Sequence, residues 1–256
     1  MPASPTPIVS VLIATYNAAP FLEAAIRSVL AQTLDDLEIV VVDDVSADDS
    51  PAIAERLARE DARVRPFRMD VNAGPAGARN RAIEAARGRW LAIVDSDDLI
   101  EPGRLARLVE AAEAAGADMV ADDLLVFEHG APAGGTPFLA ARDRTRGPFD
   151  VDLRDYLHRT VMYGAEPNLG FLKPLIRRAA LDAHSVRYDE TLRIAEDDDL
   201  IARLLLAGLS YRIVPVPGYF YRKHGASISP VSYTHLRAHE TVLDLVCRLL
   251  LEKKKK

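Results

Sequence analysis

The sequence predicts an α/β protein built on a mostly parallel sheet flanked by helices. Short β-rich apolar runs alternate with amphipathic helical stretches at the spacing of βα units. The first runs are nearly continuous in apolar character, as in strands covered on both faces. Three of them end in polar or acidic residues, Thr15-Tyr16-Asn17, Asp43-Asp44 and Asp95-Ser96-Asp97-Asp98. Ligands of such sheets gather beyond the carboxyl ends of the strands.

In chain order, Ile8 to Ala14 reads as a central strand, and Pro20 stands where a first helical residue would, ahead of a face made by Leu22, Ile26, Val29 and Leu30. Leu37 to Val42 is the second strand, followed by a helix from Ser50 to Glu60 and a short strand from Val64 to Met69. Asn72 to Asn80 is a small-residue turn entering a helix that stops at Gly88, and the strand Leu91 to Val94 then delivers the Asp95–Asp98 acids to the sheet edge. A helix from Pro102 to Gly116 and a strand from Asp118 to Phe127 follow. Glu128 to Pro148 is rich in Gly, Pro and Arg with little periodicity, the mark of a long functional or mobile loop. Asp152 to Tyr163 suits a helix, and Leu169 to Leu181 mixes apolar residues with Lys173, Arg177 and Arg178. The acids Glu196 to Asp199 open a helix with Leu200, Leu204 and Leu205 inward and Gly208 closing it; the helix dipole alone favours acid there. Two strands, Tyr211 to Val214 and Tyr219 to Arg222, precede His224.

Charge and composition exclude several functions. Up to Pro230 the chain holds 26 basic and 35 acidic residues, a formal net charge of −9, which disfavours nucleic-acid binding. The single cysteine, Cys247, lies in the last 26 residues, so the body has no disulfide, zinc thiolate or thiol nucleophile. No stretch reaches the 18 or so apolar residues of a membrane span, and the uncharged first 22 residues are broken by Pro2, Pro5, Pro7 and Pro20. A cytoplasmic location is therefore expected. Residues 231–256 differ in kind: they hold four of the six lysines and resemble a translated sequencing adapter, which marks them as a non-native tail; an amphipathic helix with a basic end is the alternative.

The first strand leads into Ala14 to Pro20 without a G-x-G-x-x-G, and no Walker A motif is present, which argues against a dinucleotide-binding dehydrogenase and a P-loop enzyme. Carboxylates one residue apart at a strand end can converge on a hard divalent cation that also meets substrate phosphates; an Asp-rich turn capping the next helix is the alternative.

Seven segments in order, Val9 to Asn17, Ser28 to Thr33, Glu38 to Asp44, Asn72 with Gly74, Ala78 to Asn80, Asp95 to Asp98 and Glu196-Asp197, resemble the inverting nucleotide-sugar glycosyltransferases of family 2, with the GT-A (Rossmann-like) fold. Leu169 to Arg177 with Leu192 to Asp197 resembles the exopolysaccharide branch that includes succinoglycan glucosyltransferases. The resemblance implies a single domain with a donor half at 1–127 and an acceptor and base half at 128–230. It implies transfer of one sugar from a nucleotide donor, UDP-linked, to a saccharide or lipid-linked acceptor, in the cytoplasm or at the inner membrane face. The rival reading is an inactive nucleotide-sugar-binding scaffold. A sugar nucleotidyltransferase is disfavoured by the missing Gly- and Lys/Arg-rich N-terminal signature.

Residue by residue, the resemblance assigns Thr15, Tyr16 and Asn17 to the nucleotide pocket wall and Asp44 to the base or ribose, with a turn or helix cap as Asp44's alternative. Gly74 would let backbone approach the donor, and Arg79 would face the nucleotide or its phosphates unless it is a solvated helix residue. Asp97 would be the direct ligand of Mg²⁺ or Mn²⁺, Asp95 a ribose or metal contact, and His224 a metal or phosphate contact. Asp98 would cap the following helix. Asp197 would be the catalytic base and Glu196 an acceptor-orienting residue or helix cap; Lys173 would contact donor or acceptor, or snorkel at the surface. Val45 stands where Gly often follows the paired Asp, and the lack of Q-x-x-R-W after Asp197 disfavours a processive synthase.

Overall fold

Among the described residues one ten-stranded sheet organises the fold: eight strands lie side by side in the order Val64–Arg68, Leu37–Asp43, Val9–Thr15, Trp90–Ile93, Leu175–Arg177, Met119–Glu128, Tyr211–Lys223 and Leu99–Ile100, while Thr136–Pro137 pairs with the sixth of these and Phe149–Asp150 with the seventh. The computed structural model describes residues 6–130, 134–160 and 166–225. The N-terminal strands are β1 (Val9–Thr15), β2 (Leu37–Asp43), β3 (Val64–Arg68) and β4 (Trp90–Ile93), joined by helices α1 (Ala19–Leu30), α2 (Ser50–Glu60) and α3 (Gly74–Ala85). All four strands run parallel, and every residue of β2 and β4 is buried, which is why their sequences carry no polar alternation.

Beyond β4 the chain forms β5 (Leu99–Ile100), α4 (Arg104–Ala115), β6 (Met119–Glu128), β7 (Thr136–Pro137), α5 (Ala141–Thr145), β8 (Phe149–Asp150) and α6 (Leu153–Arg159). A 3₁₀ turn at Leu169–Phe171 then leads to β9 (Leu175–Arg177), α7 (Arg178–Ala183), α8 (Glu196–Leu206) and β10 (Tyr211–Lys223). β9 runs antiparallel between β4 and β6, and β5 runs antiparallel to β10. The sheet is thus continuous across residue 127.

Four expectations are corrected. The two strands expected at Tyr211 to Val214 and Tyr219 to Arg222 are one strand, β10, in which shifts of register around Pro217 absorb the prolines that suggested a break. Glu128 to Pro148 is not structureless: β7, α5 and β8 lie within it. Asp98 does not cap α4, whose N-cap is Gly103; it is 1% exposed and accepts the Arg222 amide of β10 at 2.7 Å. The helix expected to reach Tyr163 ends at Arg159, and residues 161–165 and 226–256, including the atypical tail, lie outside the described residues.

Helix α3 explains how polar groups enter the core. Gly74, Ala76, Gly77, Ala78 and Ala82 are buried, so small side chains let the helix lie close to β1 and β2 and carry Arg79 and Asn80 inward with it. Among the described residues, no helix is long and apolar enough to cross a membrane.

Candidate active site

The carboxyl ends of β1, β2 and β4 converge as their sequences suggest. Thr15 pairs in register with Asp43, and the Asp44 amide donates to the Thr15 carbonyl at 2.9 Å. Thr15 is buried with a hydroxyl that lacks a hydrogen-bond partner among the described residues, while Tyr16 is 56% exposed. Asn17 adopts φ 50° and ties the first two strand ends together: its amide donates to Ser46 Oγ, and its Oδ1 accepts the Ala47 amide at 2.8 Å. Asp44 is buried and accepts the amides of Ala73 and Gly74, each at 2.8 Å, so its carboxylate caps the start of α3. Gly74 has φ 77°, and a Cβ there would overlap the Arg193 guanidinium.

The acids of β4 divide into two groups. Asp95 is held on one oxygen by Arg79 Nη2 at 2.9 Å and on the other by Lys173 Nζ at 2.8 Å. Burial alone would raise its pKa, but the Lys173 and Arg79 charges outweigh it and hold the carboxyl well below its ordinary value. Asp97 Oδ2 lies 2.9 Å from His224 Nε2, whose ring packs 4.4 Å from that of Phe21. Asp95 does not join that pair: among the described residues, no three His, Cys, Asp or Glu form a metal cage. The donor set at this corner is one carboxylate and one imidazole.

Helix α8 brings the second acid cluster to the same cations. Lys173 Nζ bonds Asp197 Oδ2 at 2.9 Å, Arg79 Nη1 bonds Glu196 at 2.5 Å, and the Tyr188 hydroxyl donates to Asp197 Oδ1 at 3.1 Å. Burial pushes Asp197 up, yet Arg79 and Lys173 hold it below its ordinary value. Glu196 is raised by burial and by the Asp197 charge beside it. Arg79 and Lys173 are each 7% exposed, so neither is the solvated surface cation that the sequence left open.

Residues that the sequence did not single out support this cluster. Asn80 accepts the Tyr188 amide at 2.9 Å and donates to the Tyr188 carbonyl at 3.0 Å, fixing the tyrosine that meets Asp197. Arg104, fully buried, makes a forked bond to Asp122 and donates to the Lys173 carbonyl at 2.6 Å. Tyr219 lies under the Arg104 guanidinium at 5.0 Å, and its hydroxyl accepts the Asp95 amide at 3.0 Å. Asn80 sat within a matching segment; Tyr188, Arg104 and Tyr219 carried no signal, because their roles arise from contacts remote in sequence.

A sequence profile of the family described as "Glycosyl transferase family 2" matches residues 10–156, more than half of the chain. The chain belongs to glycosyl transferase family 2. Two relatives from Rhizobium meliloti (strain 1021) extend the likeness past that profile. "Succinoglycan biosynthesis protein ExoO" is 40% identical over 88% of this chain and 63% of its own length. "Succinoglycan biosynthesis protein ExoU" is 36% identical over 89% of this chain and 65% of its own. This family 2 chain therefore spans just under two thirds of the length of those relatives. Among solved structures, S. aureus TarS in complex with UDP-GlcNAc superimposes with a TM-score of 0.68 at 22% identity, covering 93% of this chain and 63% of that one. The mannosyltransferase PcManGT from Pyrobaculum calidifontis, in complex with GDP-Man and Mn²⁺, gives 0.60 at 21% identity, covering 90% of this chain and 60% of that one. Both likenesses establish the GT-A fold.

Proposed function

We propose that the chain is a metal-dependent inverting glycosyltransferase that moves a single sugar from a UDP-linked donor to a saccharide or lipid-linked acceptor in exopolysaccharide synthesis. The observation that carries this reading is the position of Asp197: a partly buried carboxylate at the start of α8, held below its ordinary pKa and sharing Lys173 and Arg79 with Asp95 just past β4. A module that merely binds nucleotide-sugar needs no second carboxylate there.

In this reading residues 1–127 hold the donor and 128–230 hold the acceptor and the base. Thr15, Tyr16, Asn17, Asp44 and Gly74 line the nucleotide pocket, with Arg79 and Asp95 toward the ribose and phosphates. The acceptor hydroxyl oxygen forms a bond to the anomeric carbon as the carbon–diphosphate bond breaks on the opposite face. The hydroxyl proton passes to Asp197, and the diphosphate leaves as UDP with inversion at that carbon. A carboxylate below its ordinary pKa can serve, because it stays ionised and the hydroxyl becomes acidic as its oxygen bonds to carbon. Glu196 orients the acceptor, and Lys173 orients Asp197.

Asp97, with His224 beside it, would hold a divalent cation, its hard carboxylate oxygen suiting Mg²⁺ or Mn²⁺. Bound there, Mg²⁺ or Mn²⁺ would supply charge neutralisation to the departing diphosphate. The relatives' names support a polysaccharide pathway, the TarS complex supports a uridine nucleotide, and the PcManGT complex supports a divalent cation. A lipid-linked acceptor would bring the protein to the inner membrane face.

The test is incubation with Mn²⁺, a panel of UDP- and GDP-sugars and extracted lipid-linked saccharides, with Asp197→Asn alongside. Nucleotide binding retained and turnover reduced by about 10²–10⁴-fold supports the assignment. Unchanged turnover refutes Asp197 as base, and failure to bind any nucleotide-sugar refutes the whole reading.

A further inference from the structure

We infer that Lys173 is a positioning residue that couples the donor side of the site to its base side, as the counterion that stands within 3 Å of both carboxylates, closer to Asp197 than the Arg79 they also share. The inference rests on the proposed donor and base roles of Asp95 and Asp197, and adds a dependence between them that those roles do not require.

Lys173 Nζ stands 2.8 Å from Asp95 and 2.9 Å from Asp197, two residues that belong to different elements and lie 102 positions apart in sequence. The ammonium is buried, so water does not screen either contact as it would at a surface. Its backbone is also fixed. Arg104 donates to the Lys173 carbonyl at 2.6 Å, is held in turn by the forked bond to Asp122, and packs over the Tyr219 ring whose hydroxyl takes the Asp95 amide. The same buried guanidinium therefore sets the height of the lysine and, through Tyr219, of one of its two partners. A cation held this way cannot follow one carboxylate without leaving the other.

The consequence concerns nucleotide binding. An anionic ligand arriving beside Asp95 draws on the Lys173 charge, and Asp197 competes for it. Neutralising Asp197 frees that charge for the ligand. Asp197→Asn should therefore tighten UDP binding, and the gain should depend on Lys173.

The experiment measures UDP affinity calorimetrically on the full chain with Mg²⁺, in a cycle of wild type, Asp197→Asn, Lys173→Met and the double variant. Asp197→Asn is expected to tighten UDP about fivefold more when Lys173 is present than in the Lys173→Met background, the coupling expected of residues in one ion-pair network. Lys173→Arg, which keeps the charge, should restore part of the dependence. Equal effects of Asp197→Asn in both backgrounds overturn the inference while leaving the glycosyltransferase reading intact; absence of UDP binding in wild type defeats that reading first. Should Lys173→Met fail to fold, ¹⁵N-lysine NMR of the wild-type protein decides. The Lys173 ammonium signal must shift on saturation with UDP and again in Asp197→Asn, and a signal indifferent to both sinks the proposal.

Discussion

Gly170 packs directly against Asp198: the space that a Cβ on Gly170 would take is already filled by the Asp198 carboxylate. Asp198 in turn accepts the buried Tyr156 hydroxyl at 3.4 Å. The 3₁₀ turn and α8 are thus keyed together beside Asp197 by the absence of one methyl group.

Gly170→Ala forces either the turn or the Asp198 side chain to move. Chemical denaturation should show a loss of about 1–3 kcal/mol, the usual range for overpacking. In an Asp198→Ala background the same substitution should cost much less, because the obstructing carboxylate is gone.

Burial, with the charges of Asp197 and Glu196 next, pushes the Asp198 carboxyl up to about 7. An unfolded Asp titrates near about 4, so between about pH 4 and pH 7 the folded form keeps a proton that the unfolded form has lost. This group's contribution to stability therefore falls as pH rises through that window and stays at its lowest above it. Asp198→Asn removes the dependence. Its stability relative to wild type should increase between about pH 4.5 and pH 8, by about 1 kcal/mol or more, when followed by urea unfolding. A constant difference across that range contradicts the assignment.

Val45 has φ 65°, a left-handed conformation that costs an ordinary residue about 1–2 kcal/mol and a β-branched one at least that. Val45→Gly should raise the thermal midpoint, by about 1 kcal/mol of stability after the added freedom of the unfolded chain is subtracted. Nucleotide affinity tests whether the strain also shapes the loop next to Asp44.

Arg104 and Asp122 are both fully buried; without Asp122 the Arg104 charge loses its carboxylate, and without Arg104 the Asp122 charge keeps only the longer contact to Arg107 at 3.7 Å. Arg104→Met or Asp122→Leu singly should cost about 3–5 kcal/mol, whereas the double variant should recover much of the loss. The double variant also releases the Lys173 carbonyl, so turnover should stay low even where stability returns.

The parallel half was legible because β1, β2 and β4 are almost wholly buried and carry polar or acidic residues at or just past their ends. β2 shows this most plainly, as all seven of its residues are buried and Asp43 closes it. α2 was legible to the residue for a related reason: Pro51 sits in its first turn and a single apolar stripe faces inward. β9 was hidden because it is three residues long, lies between Lys173 and Arg178 and itself ends in Arg177, which is spent stacking on Trp90 at 4.4 Å. Within the site, Asp44, Asp95, Asp97 and Asp197 could be named from their segments. Lys173, Arg79 and His224 were named too, but not whom they pair with, since a lysine that bridges two carboxylates looks the same in sequence as one that faces water.

The Asp95–Asp98 run, which the sequence offers as the acidic edge of a strand or as a capping turn, is gripped at several points by β10 and the residue just past it. Tyr219 takes the Asp95 amide, the Arg222 amide meets Asp98, the Arg222 side chain meets the Asp97 carbonyl at 2.7 Å, and His224 meets Asp97. The Asp95 and Asp98 amides, which donate to the Tyr219 hydroxyl and to the Asp95 carbonyl, should therefore exchange with solvent on the slow timescale of the sheet rather than the fast one of a loop. The acidic corner opens only when the strand beside it lets go.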